Sequence, residues 1–149
     1  MNRIYKATIA IALAALATAS YAAVRASHTR PGNFAVANTY LPLNATGVTT
    51  ISFNLTAAGK KVLTYSAECY LPFTFDTWVD LDIIVNGITV APTVGTIDGF
   101  CGANSRYSRH SITVPIQGKA GANTVRILGK LGPSATFATL GDTALVIHD

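Results

Sequence analysis

Strict alternation of apolar and polar residues is the feature that most constrains this chain. In residues 78–85 one side carries Val79, Leu81, Ile83 and Val85, and the other carries Trp78, Asp80, Asp82 and Ile84. A period of two residues places successive side chains on opposite faces of a β-strand, so one face of this segment should be buried. Asn86-Gly87 follows at once and is typical of a two-residue turn. Residues 78–85 and 88–90 are therefore predicted to form a β-hairpin.

The same alternation recurs before and after this hairpin, with turn residues between the segments. The segments are 51–55, 63–69, 110–116, 125–131 and 144–148. Composition agrees, since residues 23–149 contain 17 Thr but a single Glu and a single Gln, which favours pleated strands over helices. About eight short strands separated by turns are typical of an antiparallel two-layer sandwich or jelly roll. We therefore expect an all-β fold of this kind.

Two segments are less regular. Residues 23–47 show weak periodicity and turn residues at Pro31-Gly32-Asn33, so they are predicted to be an N-terminal leader with room for one strand. Residues 93–109 are predicted to be a long loop. The β-sandwich domain is then expected to span residues 48–149.

Residues 1–22 have the pattern of a secretory signal peptide. Arg3 and Lys6 precede an apolar stretch at 7–17, and Ser20-Tyr21-Ala22 supplies the small residues of a cleavage site. The apolar stretch is shorter than the roughly 20 residues that cross a bilayer, so membrane insertion is not expected. We expect cleavage after Ala22 and export to the periplasm or the extracellular space of a bacterium.

Export changes the charge balance of the chain. The full sequence has a formal net charge of +4, but loss of Arg3 and Lys6 leaves 9 basic and 7 acidic residues. A small positive charge spread over a whole domain is not the basic surface of a nucleic-acid-binding protein. Nucleic acid is therefore not an expected partner.

The two cysteines, Cys69 and Cys101, are 32 residues apart in a chain predicted to reach an oxidising compartment. Zinc ligation is the rival interpretation, but two thiols at this separation, without a Cys-x-x-Cys spacing, make a poor zinc motif. One intramolecular disulfide between Cys69 and Cys101 is therefore predicted, and it should tie the 93–109 loop to the sheet.

A set of short segments carries a family resemblance. These segments are 65–69, 78–83 with Asn86-Gly87, Cys101, 125–127 and 145–147. Over residues 48–149 the chain resembles small exported bacterial β-sandwich proteins with no established activity, and also the jelly-roll modules of the complement C1q and tumour-necrosis-factor type. The resemblance implies the fold and the export, and it assigns no functional residue.

The sequence gives little support to catalysis or metal binding. No Gly-x-Ser-x-Gly motif accompanies His110, and Glu68 is the single Glu available to pair with an aspartate in glycoside hydrolysis. Asp76, Asp80 and Asp82 could bind calcium, but alternation already explains Asp80 and Asp82 as solvent-facing positions of a strand. No catalytic residue, metal site or cofactor is predicted, and the chain is not expected to be an enzyme.

Residues 70–78 form the one candidate binding segment, in which four aromatic residues follow a cysteine. The predicted ligand-binding residues are Tyr70, Phe73, Phe75, Asp76 and Trp78. Exposed rings could stack on sugars while Asp76 accepts hydroxyl hydrogen bonds, or the rings could instead close one end of the sandwich. Residues 105–110, with two arginines, could bind an anion or be a solvated loop.

These observations favour a secreted, non-enzymatic β-sandwich with a binding or assembly role. The alternatives are a small carbohydrate-binding module and a subunit of a surface assembly, to which residues 23–47 would contribute a strand. The expected partners are a glycan or a protein, including a second copy of the chain in a homo-oligomer.

Overall fold

The computed structural model describes residues 23–72, 77–91, 99–102, 104–132 and 135–149, so the predicted signal peptide at 1–22 lies outside the described residues. The described part is all-β, with two antiparallel sheets packed together and one disulfide, which confirms the predicted fold class. Its strands are β1 (Val24–Val36), β2 (Thr39–Tyr40), β3 (Ile51–Leu55), β4 (Gly59–Leu71), β5 (Trp78–Val85), β6 (Ile88–Ala91), β7 (Cys101–Gly102), β8 (Asn104–Gly118), β9 (Gly121–Leu131) and β10 (Ala138–His148).

The two sheets differ in strand order. Sheet A is β1-β10-β4-β8, so strands from both halves of the chain lie side by side, with β1 and β8 at its edges. Sheet B contains β9 and β5 at its centre, where β2 and β3 pair with β9, and β6 and β7 pair with β5. Because β1, β4, β8 and β10 are far apart in sequence, the surface of sheet A is assembled from distant residues.

The core lies between the sheets and follows the alternation in the sequence. Along β5, Val79, Leu81, Ile83 and Val85 are buried, and along β4 the buried residues are Leu63, Tyr65, Ala67, Cys69 and Leu71. Burial of each large aliphatic side chain contributes about 1.5–3 kcal/mol. The residues between them face outward, which fixes the surface that each sheet presents to solvent.

The hairpin between β5 and β6 confirms the turn predicted from Asn86-Gly87. Val85 pairs with Ile88, and both turn residues have positive φ, 52° for Asn86 and 84° for Gly87. Two positive φ values match the right-handed twist of the flanking strands, and Asn and Gly adopt them most readily.

Two segments contain more strand than the sequence indicates. Residues 24–36 of the predicted leader form the edge strand β1, which pairs with β10 along its length with two irregularities. The predicted 93–109 loop is wrong at its C-terminal end, because β8 begins at Asn104. In both edge strands the inward positions hold polar residues such as His28, Arg30 and His110, which hides the apolar alternation.

The disulfide between Cys69 and Cys101 joins the two layers. Cys69 belongs to β4 of sheet A, and Cys101 belongs to β7, which pairs with β5 of sheet B. Both cysteines are buried, with 6.5 Å between their Cα atoms. The predicted bridge is thus confirmed, but Cys101 lies in a short strand of sheet B, so the bridge links two sheets instead of tying a loop to one sheet. In the part of the chain that the structure describes, no helix has the length and hydropathy of a membrane span.

Candidate functional site

The structure separates the two described residues of the predicted aromatic platform. Phe73, Phe75 and Asp76 lie outside the described residues. Tyr70 alternates with buried Cys69 and Leu71 in β4, so it lies on the outer face of sheet A. Trp78 alternates with buried Val79 in β5, so it lies on the outer face of sheet B. Tyr70 and Trp78 therefore do not share a surface.

Trp78 is a packed side chain. Its indole Nε1 donates a hydrogen bond of 3.1 Å to Asp80 Oδ2. A Cβ atom placed on Gly99 or on Gly132 would come within 2.7 Å of Trp78 atoms, so both glycines allow the backbone to lie directly against this residue. The indole is half-buried in this contact.

Tyr70 has a different aromatic partner, Tyr107 of β8. The two ring centroids are 5.2 Å apart and the ring planes are inclined by 27°, which is a stacked arrangement. Tyr107 keeps 48% of its surface exposed. An exposed tyrosine supported from behind by a second ring is a rigid aromatic surface on the solvent side of sheet A.

Asn33 connects this tyrosine pair to the far edge of sheet A. Its Nδ2 donates a hydrogen bond of 3.2 Å to the Tyr107 hydroxyl, although Asn33 is in β1 and Tyr107 is in β8. The reach is possible because Asn33 lies over Gly141 of β10, where a Cβ atom would be 2.0 Å from Asn33 Oδ1. Only glycine at position 141 leaves the Asn33 side chain this path.

Beside Asn33 the ladder between β1 and β10 is interrupted. Arg30 pairs with Thr143 and Asn33 pairs with Gly141, so Pro31-Gly32 on one strand faces only Asp142 on the other. Gly32 and Asp142 have φ values of 78° and 42°, and the Gly32 amide donates a 2.9 Å hydrogen bond to Asp142 Oδ1. β-Bulges of this kind often accompany binding sites because they redirect side chains.

The bulge opens a cleft of about 350 Å³. It is lined by Thr29, Arg30, Pro31, Arg109, Asp142, Thr143 and Ala144. Arg30 Nη1 donates to the Gly32 carbonyl at 3.2 Å, and its guanidinium carbon lies 4.5 Å from the centre of the Phe34 ring. Arg109 Nη1 donates to the Asp142 carbonyl at 3.2 Å. Both arginines border the bulge, but Arg30 occupies an inward position of β1 and Arg109 occupies an outward position of β8.

Tyr65 lies behind the wall of this cleft. It is fully buried, and within the described part of the chain its hydroxyl has no hydrogen-bond partner. Burial raises the pKa of this hydroxyl, while the neighbouring Thr143 side chain and the charge of Arg30 oppose the shift. Thr143 is thus near the hydroxyl without hydrogen-bond geometry, and the neutral phenol is the stable form.

Of the aspartates that could bind calcium, Asp76 lies outside the described residues, and Asp80 and Asp82 each have a partner in the protein. Asp82 forms an ion pair with Lys130, and Asp80 accepts the hydrogen bond from Trp78. Among the described residues, no group of three or more His, Cys, Asp or Glu is arranged to hold a metal ion. Glu68 is at an outward position of β4 in sheet A, whereas Asp80 and Asp82 are at outward positions of β5 in sheet B. Glu68 therefore does not face either aspartate.

Ser108 and His110 form a serine–histidine pair, the combination that a nucleophilic mechanism would use. The Ser108 hydroxyl and His110 Nε2 are 2.7 Å apart, and the imidazole packs on Phe100 with 5.7 Å between ring centres. Both residues are half-buried positions of β8 that face away from the tyrosine pair. A substrate must be able to reach a nucleophile, and this pair lies between the sheets. The position of the pair therefore gives no support to nucleophilic catalysis.

Sequence reasoning named Tyr70, and it named residues 105–110, which contain Tyr107 and Arg109, as a possible anion-binding segment, but it missed Asn33 and the cleft. The missing signal was present at 107–110, where outward Tyr107 and Arg109 alternate with half-buried Ser108 and His110. This alternation runs directly into the predicted strand at 110–116. No protein-family model matches this chain, and no curated protein matches it in sequence either.

Proposed function

We propose that the mature chain is an exported, non-enzymatic β-sandwich that binds a glycan on the outer face of sheet A. The binding surface, which we call the Tyr–Arg face, consists of Tyr70, Tyr107, Asn33, Arg109 and the cleft at the bulge. The observation that carries the proposal is the exposed Tyr107 ring, which is stacked on Tyr70 and lies two residues before Arg109 of the cleft.

The chemistry of the Tyr–Arg face suits a sugar. An aromatic ring offers an apolar surface to the C–H groups of a pyranose, and its polar hydroxyl stays at the rim. The Asn33 amide contacts the Tyr107 hydroxyl, Arg109 is two residues further along β8, and both side chains can exchange hydrogen bonds with sugar hydroxyls. All of these side chains are on strands, so the site is largely formed before the ligand arrives.

Export belongs to the same proposal. The signal-peptide pattern at 1–22 supports it, and a disulfide is consistent with a compartment that is oxidising. Glycans of cell surfaces and extracellular matrices are accessible in the periplasm or outside the cell.

An affinity-electrophoresis panel of soluble neutral and acidic polysaccharides tests the proposal directly. Tyr107→Ala should weaken binding by about ten-fold or more, since aromatic anchors commonly dominate binding energy. Tyr40→Ala is the matched control, because Tyr40 is an aromatic residue on β2 of sheet B whose ring lies under Arg126. Equal loss in both variants, or no retardation by any polysaccharide, would contradict the proposal.

A second candidate function is assembly through the edge of sheet A. Among the described strands, β1 pairs only with β10, and it starts one residue after the predicted cleavage site. Its other edge could therefore accept a strand from a neighbouring chain. Light scattering behind size exclusion, at several protein concentrations, tests this candidate. A monomer at every concentration would remove it.

A further inference from the structure

We propose that the Tyr–Arg face binds an extended glycan chain instead of a single sugar, and that Phe137 is the second aromatic subsite for that chain. This inference rests on the proposed function and deepens it, because it names the form of the ligand and a further binding residue. The observation behind it is a second exposed ring at the same end of sheet A as Tyr107.

The first support is the exposure of the Phe137 side chain. Phe137 keeps 47% of its surface exposed, close to the 48% of Tyr107. Among the described residues, these two are the aromatic members of the exposed large hydrophobic side chains. A single exposed apolar side chain is common on protein surfaces, but two exposed rings at one place form an apolar platform that sugar C–H groups can cover.

The second support is the position of Phe137 relative to the tyrosine pair. Phe137 lies directly before β10, and two residues later Thr139 pairs with Tyr70, which carries the stacked Tyr107 ring. An extended backbone covers about 7 Å in two residues and adjacent strands are about 5 Å apart, so the Cα atoms of Phe137 and Tyr70 are expected roughly 8 Å apart. One pyranose covers one aromatic ring. Rings at this separation would therefore contact different units of one glycan chain.

The third support is a small cleft that connects Phe137 to the end of β4. The cleft is lined by Leu71, Pro72, Thr77, Ala135, Thr136 and Phe137. Leu71 and Pro72 directly follow Tyr70 in the chain, so the cleft lies between Phe137 and the tyrosine pair. Its volume of about 20 Å³ suits one water molecule or one sugar hydroxyl, and it is too small for a sugar ring. A sugar unit would therefore lie over the Phe137 ring and place one hydroxyl in the cleft.

The fourth support is the short side chains beside the tyrosine pair. Ala35 of β1 pairs with Thr139 of β10, and Thr139 pairs with Tyr70 of β4, so the three residues form one row on the outer face of sheet A. A methyl group and a short hydroxyl side chain leave the approach from Tyr107 to Phe137 low. The Thr139 hydroxyl can also exchange a hydrogen bond with a glycan that crosses this row.

The test measures how affinity depends on the length of the glycan. The polysaccharide that retards the protein most in the electrophoresis panel is partly hydrolysed, and its oligosaccharides are separated by length. Each fraction is then titrated into the mature protein by calorimetry. We expect affinity to rise by about ten-fold or more from the disaccharide to the length that reaches both rings, and to stay constant for longer oligosaccharides.

Variants locate the second subsite. Phe137→Ala should weaken binding of the long oligosaccharides by about ten-fold or more and leave the disaccharide within about two-fold of wild type, because only the long chains reach position 137. Tyr107→Ala should weaken binding at every length. Ile88→Ala is the matched control, since Ile88 is a 68% exposed apolar residue on β6 of sheet B, and its affinities should stay within about two-fold of wild type.

Two further substitutions at position 137 separate stacking from simple apolar contact. Phe137→Trp keeps a flat ring, so it should preserve the dependence of affinity on length. Phe137→Leu keeps an apolar side chain without the ring and should lose most of that dependence. Because Phe137 is half exposed, the melting temperatures of these variants should stay near wild type, which separates loss of binding from loss of folding.

Each other outcome has a definite meaning. Equal affinity for short and long oligosaccharides would overturn the inference and leave the proposed function standing. A loss in Phe137→Ala that is the same at every length would also overturn it, and so would a Phe137→Leu variant that binds like wild type. Absence of binding to all polysaccharides would contradict both proposals.

Discussion

Two buried polar side chains differ in how well their hydrogen-bonding groups are satisfied. Asn123 is fully buried, and its amide is satisfied by Lys119 and Gly121 at the start of β9 and by Asn86 in the turn between β5 and β6. Tyr65 is equally buried, but within the described residues its hydroxyl has no partner. A satisfied buried group holds structure, whereas an unsatisfied one reduces stability by about 1–3 kcal/mol. Asn123 therefore stabilises the turns that it joins, whereas the Tyr65 hydroxyl should add little or nothing to stability.

Tyr65→Phe tests this distinction. The ring packs on Phe100 with 5.9 Å between ring centres and stays in place, so only the unsatisfied hydroxyl is lost. We expect the free energy of unfolding to stay constant or to rise by up to about 1–3 kcal/mol in urea titrations. A loss of more than about 1 kcal/mol would show that the hydroxyl has a partner in solution.

Individual strands differ in how well the sequence predicts them, for a physical reason. β5 is central in sheet B, so its inward residues are all large and apolar and the alternation is complete. β1 and the start of β8 are at the edges of sheet A, where one side of the strand is solvated and inward positions tolerate His28, Arg30, Ser108 and His110. Pattern alone therefore finds central strands and understates edge strands.

The attachment of β1 at its N-terminal end depends on an ion-pair cluster. Arg25 Nε donates to Asp149 Oδ1 at 3.0 Å, Lys61 Nζ lies 2.8 Å from the same oxygen, and the Asp149 amide donates to the Ala23 carbonyl at 3.2 Å. Hydrogen bonds from Arg25 and Lys61, together with their charges, hold the pKa of Asp149 well below its usual value of 3.8. The cluster joins β1 to the residue after β10 and to β4.

Asp149→Asn should lower the melting temperature by an amount that depends on pH. Because the pKa of Asp149 is lower in the folded state, its stabilising effect is fully present above its usual value of 3.8 and declines as pH falls toward the folded pKa. The gap between wild type and Asp149→Asn should therefore be largest near neutral pH and narrow in acid. Arg25→Gln removes a partner of the same carboxylate and should show a similar narrowing. A gap that does not change with pH would contradict the role of the ionised carboxylate.

The arrangement of the whole molecule explains why the sequence predicted the fold but only part of the site. Local alternation and Asn86-Gly87 are enough to indicate an antiparallel sandwich. The Tyr–Arg face depends on the strand order β1-β10-β4-β8, which brings Asn33, Tyr70 and Tyr107 together from three distant segments. Strand order is decided by packing across the whole core and leaves no local mark in the sequence. Tyr70 could be named as an aromatic residue, but its partners could not.

Replacing both cysteines, Cys69→Ser with Cys101→Ser, tests how independent the two sheets are. The bridge is the covalent link between sheet A and sheet B and closes a loop of 32 residues, so its loss should destabilise the protein by about 2–5 kcal/mol. All residues of the Tyr–Arg face belong to sheet A or its bulge, so the folded double variant should bind polysaccharide with nearly wild-type affinity at low temperature. Chemical denaturation and affinity electrophoresis on the same samples measure the two effects, and reduced wild-type protein is the matched control. Two free thiols by mass spectrometry in the exported protein, or unchanged stability, would contradict the structural role of the bridge. A large loss of affinity in a fully folded double variant would instead show that the binding face depends on sheet B.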